Sequence, residues 1–141
     1  MKKRAVIAER AAHRRLRIVN ALRDTHHVEA VEILDGIVRK VRSVRPDLVL
    51  IGVGRRVQVS TRFAHQVKTD GAHPPLVGLM DWDGRLTDPR ATARGALVDG
   101  VFMGAPSPES LQKFAAELAT TEDVLVVGEA SLNIWKRLFS R

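Results

Sequence analysis

Two stretches of this 141-residue chain hold side chains at spacings that could do chemistry. Asp81-Trp82-Asp83-Gly84 carries two carboxylates two positions apart. With Glu9 they could form an oxygen cluster for a hard cation, although Asp-Gly reads more readily as a plain turn. Gly52-Val53-Gly54-Arg55-Arg56 sets two glycines and two arginines ahead of a helix. Backbone N–H groups and guanidinium forks in that position can hold a phosphate-bearing ligand. The stretch lacks the lysine and the length of a P-loop and does not match G-x-G-x-x-G, so a flexible loop without a ligand is the alternative. His13, His26, His27, His65 and His73 show no ligand spacing beyond one adjacent pair and read as surface residues. There is no cysteine, which excludes disulfides, thiolate catalysis and cysteine-ligated zinc in this sequence. No Ser/His/Asp arrangement can be argued. No metal and no cofactor is expected.

The elements that would position these groups must come from one ordinary domain, which this length can supply with a real core. Apolar residues make up 45% of the chain, yet aromatics are only 4% and tyrosine is absent. Val, Leu, Ile and Ala must therefore fill the interior. The apolar run after Met-Lys-Lys-Arg is too short for a signal peptide, and no run of eighteen apolar residues suggests a membrane span. With the lack of cysteine, this favours a cytoplasmic protein. The net charge of +7 is unevenly placed: residues 1–61 hold 14 Lys/Arg against 6 Asp/Glu, a net of +8, and residues 62–141 hold 9 against 10, a net of −1. A basic half of this kind attracts polyanions or acidic protein faces, or is simply a pair of solvated helix faces.

Five strand-then-helix units are legible. Arg4–Glu9 is a short buried strand, and Arg10–Arg23 is a helix with Ala12, Leu16, Val19 and Leu22 as its inward stripe. Val28–Ile33 alternates as a more exposed strand does. A helix with Ile37, Val41 and Val44 inward follows Asp35-Gly36 and ends at Pro46. Leu48–Ile51 reads as a strand buried on both faces. A third helix is expected from a Ser60 or Thr61 cap to Lys68, then a strand over Leu76–Met80. Thr87-Asp88-Pro89 starts a fourth helix that ends at Asp99-Gly100, and Val101–Met103 is the fifth strand. Ser107-Pro108-Glu109 starts a fifth helix with Leu111, Phe114, Ala115 and Leu118 inward. Alternation at this spacing implies right-handed crossovers and a three-layer α/β sandwich around a parallel sheet. Asp123–Ser131 reads as a further strand and turn. Beyond it Leu132, Trp135, Leu138 and Phe139 form one apolar helical face.

Over residues 4–118 this pattern resembles the receiver domains of two-component response regulators. Four stretches carry the resemblance: Arg45-Pro46-Asp47-Leu48-Val49-Leu50, Leu34-Asp35-Gly36, Gly95-Ala96 through Asp99-Gly100-Val101-Phe102, and Ser107-Pro108-Glu109-Ser110-Leu111. The resemblance implies a flavodoxin-like, doubly wound five-stranded parallel sheet of order 2-1-3-4-5, with its site at the strand carboxyl ends. It divides the chain into a receiver-like domain, 1–121, and a C-terminal strand and basic amphipathic helix, 122–141. The family's chemistry needs an acid pair for Mg²⁺, an aspartate as phosphoacceptor, a hydroxyl and a lysine. At the matching positions this chain has Glu9 beside Arg10, then Gly52, Met80 and Gly104. Glycine has no side chain to phosphorylate, so the pocket is expected to be degenerate and the chain not to be an enzyme.

What remains is a pseudo-receiver that works through protein contact, its partner a kinase, a regulator or an output domain. The expected docking face is Arg10, Arg14 and Arg17 on the first helix. By the resemblance, a weak homodimer forms through the fourth helix, fifth strand and fifth helix, helped by Arg90, Arg94 and Lys113. Trp135 and Phe139 in the tail would be buried in cis or in trans. The alternative is a sensor of a small anionic, nucleotide-like ligand at the vacated pocket or the arginine faces, with Gly54, Arg55 and Arg56 as a candidate anion-binding loop. Direct nucleic-acid binding has only the charge in its favour, with no helix-turn-helix, stacking platform or zinc spacing beside it.

Overall fold

The structure is a computed structural model that describes residues 2–128. In chain order its elements are β1 (Lys3–Ala8), α1 (Ala12–Leu22), β2 (His26–Val31), α2 (Ile37–Val44), β3 (Leu48–Gly52), α3 (Val57–Thr69), β4 (Leu76–Asp81), α4 (Pro89–Ala96), β5 (Gly100–Met103), α5 (Pro108–Leu118) and β6 (Leu125–Gly128). All strands are parallel, in the order β2-β1-β3-β4-β5-β6. The doubly wound α/β architecture is as expected, but the sheet has six strands rather than five. β6 pairs with β5 from Gly100↔Leu125 to Met103↔Gly128. A boundary at 121/122 therefore divides a single sheet. The tail helix with Trp135 and Phe139 lies outside the described residues.

Central strands read as continuous apolar runs because both faces are covered. One layer packs Val6, Val49, Ile51, Val77, Leu79 and Val101 against α2, α3 and α4. The other packs Ala5, Ile7, Leu50, Met80 and Phe102 against α1 and α5, where Phe102 and Phe114 meet edge to face at 5.6 Å between centroids. Gly78 is required in β4, since a β-carbon there would lie 2.8 Å from the Phe114 ring.

Helix starts follow their caps. Asp88 accepts a hydrogen bond from Ala91 N with Pro89 next to it, and Ser107 and Ser110 form a reciprocal capping box at α5. Helix faces are less faithfully read from spacing. The buried face of α1 is Ile18, Ala21 and Leu22, while Ala12 and Leu16 are exposed, Leu16 by 59%. Ala12 and Leu16 lie on the side of the helix opposite Ile18, Ala21 and Leu22, so they face away from the sheet. α3 begins at Val57, ahead of the expected cap, because Ser60 faces inward and is buried. Its hydroxyl accepts from Gly54 N at 3.1 Å and donates to Gly52 O at 3.4 Å. α4 closes at Leu97, in the left-handed region with φ 62°, before the expected Asp99-Gly100. His26, read as a surface residue, is half-buried, and burial together with Lys3 lowers its pKa.

Candidate functional site

Parallel strands deliver their carboxyl ends to one pole, where ligands bind in doubly wound folds. Gly52 stands in register beside Met80, and Asp81 beside Met103, with Gly104 following. Val53 N donates to Met80 O and Gly104 N to Asp81 O, each at 2.9 Å, which ties the strand ends together. Met80 is fully buried in the α1/α5 layer, and Gly104 has φ +89°, a conformation that favours glycine.

Glu9 is the polar group of this pole. It is 7% exposed, and its Oε2 accepts from Ala11 N at 3.1 Å across the turn into α1. Its Oε1 lies 2.5 Å from the point where a β-carbon on residue 52 would stand. That separation is too close for a carbon atom, so a side chain at position 52 would require the Glu9 carboxylate to move from its place. The carboxylate fills the place of the side chain that Gly52 lacks.

The other acids are engaged elsewhere. Asp81, fully buried, accepts from Arg85 N at 2.9 Å through Oδ1 and from Leu86 N at 3.0 Å through Oδ2, which fixes the loop leading to α4. Asp83 faces Arg14, with guanidinium contacts of 2.8 and 3.2 Å. Hydrogen bonding to Arg14 raises that guanidinium's pKa and lowers that of Asp83. The three acids proposed as a cation cluster thus point to three different partners. Among the described residues no group of three or more His, Cys, Asp or Glu is placed to hold a metal ion.

Around this pole the arginines of α1 are only in part an exposed face. Arg10 is exposed. Arg14 pairs with Asp83 and lies 5.2 Å from the centroid of Trp82. Arg17 lies 5.8 Å from the same ring and donates to Pro106 O at 3.1 Å. Trp82 packs against the α1/α5 layer, and its indole N–H is buried without a partner. Spacing on α1 identified Arg14 and Arg17, but nothing in the sequence linked them to Trp82 or Pro106, 65 and more residues away. Beside them a cleft of about 220 Å³ runs between α1 and the start of α5, lined by Arg17, Asn20, Ala21, Pro106 and Leu111.

Half of the proposed anion cradle is already occupied. The Gly54 N–H is held by Ser60, while Arg55 and Arg56 are exposed. The residues named for a dimer have partners in their own chain. Arg94 reaches Asp123 at 2.6 Å, Arg90 reaches Asp123 at 3.6 Å and donates to Val124 O at 2.6 Å, and Lys113 pairs with Glu117. Because β6 takes the edge of β5, the surface formed by α4, β5 and α5 is covered along its middle. Among the described residues no helix is long and apolar enough to cross a membrane.

No protein-family model and no curated protein sequence matches this chain. Solved structures do. The chemotaxis response regulator CheY4 of Vibrio cholerae superposes with a TM-score of 0.73 at 16% identity, over 84% of this chain and 99% of its own. The BeF3-activated receiver domain of DrrB gives 0.71 at 12% identity, over 86% and 100%. The structure of Saccharomyces cerevisiae Ypd1, a histidine phosphotransfer signalling protein, with the receiver domain of its response regulator Ssk1 gives 0.69 at 13% identity, over 86% and 92%. Such likeness establishes a receiver-type fold.

Proposed function

We propose that this chain is a pseudo-receiver: a phosphorylation-independent signalling module that acts through protein contact. The observation that carries this reading is the Glu9 carboxylate in the space of a residue-52 side chain. Phosphoryl transfer to a receiver-type pocket needs a nucleophile on β3, oxygen ligands for Mg²⁺ and positive charge for the leaving oxygens. Here the first is absent at Gly52, of the acid pair only Glu9 stands, beside Arg10, and Gly104 stands in the lysine's place.

Contact with a protein remains as the mode of action. The receiver of Ssk1 is found with a histidine phosphotransfer protein. In this chain the end of α1 and the cleft beside Pro106 offer a partner both apolar and cationic groups. The test is incubation with Mg²⁺ and a small phosphodonor, read by intact mass. No stable adduct is expected, and an aspartyl phosphate would overturn the reading.

A further inference from the structure

We infer that Arg14 and Arg17 form a clip that closes Trp82 over the carboxyl end of the sheet, and that an acidic segment of a protein partner opens it. The inference rests on the α1 end being the docking face, and its test needs no phosphorylation chemistry. One turn of α1 holds two separate loops. Arg14 binds Asp83 and lies against Trp82 in the loop after β4; Arg17 lies against the same ring and holds Pro106 O in the loop after β5.

Three features make the closed state poised to open. First, the indole N–H of Trp82 is buried with no acceptor, so the closed position forgoes a hydrogen bond that water would supply on opening. Second, the side chains of Arg14 and Asp83 remain 25% and 39% exposed, within reach of a competing anion. Third, the movable piece is short and well anchored. Asp81 pins Arg85 N and Leu86 N behind it, and Gly84 at φ 65° turns the chain, so Trp82 and Asp83 form the short piece between these anchors. The cleft between α1 and α5 ends on Arg17 and Pro106, the same two residues that the clip uses. An acidic side chain entering that cleft meets Arg17 first and competes with Trp82 for it. The ligand class is a carboxylate-rich peptide segment, matched to guanidinium forks and an apolar floor of Ala21 and Leu111.

The test uses the full chain with Trp135→Phe, so that Trp82 is the single fluorophore. Its emission and its quenching by acrylamide are measured at low salt, in 1 M NaCl, and with a hexaglutamate peptide as probe. Each of the two additions is expected to raise quenching about twofold and to shift emission to the red, while far-UV circular dichroism stays constant. Asp83→Asn is expected to reproduce the open signal at low salt, and Arg17→Gln to abolish the response to hexaglutamate. If that variant fails to fold, the salt and peptide arms on the Trp135→Phe chain decide alone. Trp82 equally shielded in every condition would overturn the clip. A response to salt without one to hexaglutamate would overturn its opening by an acidic segment.

Discussion

Glu9 and Gly52 are complementary across the gap between β1 and β3: the carboxylate oxygen of the first lies 2.5 Å from the missing β-carbon of the second. An aspartate placed at position 52 should therefore compete with Glu9 for the same space. Gly52→Asp must displace Glu9 and set two carboxylates side by side, with a loss of about 1–3 kcal/mol from overpacking alone. Glu9→Ala should relieve much of that loss in the double variant, a coupling that thermal or urea unfolding of the four chains would read. Additive effects would mean that the two side chains do not compete.

Acid should weaken the contact between α1 and the loop after β4. Hydrogen bonding to Arg14 depresses the Asp83 pKa in the folded state. A depressed carboxyl contributes stability above its unfolded value, about 3.9, and loses it as pH falls through the lower folded value. The stability difference between the unsubstituted chain and Asp83→Asn should be constant above about pH 5 and should vanish at strongly acidic pH. Because the pair is partly exposed, the difference should be small, about 0.5 kcal/mol, and should shrink with salt.

Charge reversals at Arg10 and on α1 should be unequal. Arg10 is exposed, and Arg10→Glu should change stability by no more than about 0.5 kcal/mol. Arg14→Glu sets a carboxylate against Asp83 and removes the cation from Trp82, so its thermal midpoint should fall clearly further. Equal midpoints would show that Arg14 is as free as Arg10.

β6 should depend on the cations of α4. Arg94→Glu removes the contact with Asp123, and hydrogen exchange at Leu125–Val127 should quicken while β1 and β3 are unaffected. Gly128→Ala should have the larger effect. Gly128 has φ +96°, and a β-carbon there would collide with Met103 O on the neighbouring strand. Unchanged exchange in both variants would detach β6 from these contacts. Sedimentation of the same chains tests the expected dimer, whose β5 edge is taken by β6.

The sequence by itself determined the element order, the parallel α/β class, the caps of α4 and α5, and the residue types, Gly52, Met80 and Gly104, at three strand ends. These are local properties: period, capping chemistry and residue type act over a few positions. Only the tertiary structure decided which face of α1 is buried: Leu16 and Ile18 are both apolar but lie on opposite sides of the helix, and the side that packs on the sheet carries Ile18. It also decided that the tail's first strand joins the sheet as β6. Its edge position leaves Leu125, Val126 and Val127 half-buried, a context that a four-residue run cannot announce. The Glu9–Gly52 fit and the Arg14–Trp82–Arg17 stack were invisible for the same reason. Each joins residues 43 to 68 positions apart, through a pole that exists only once the strands lie side by side.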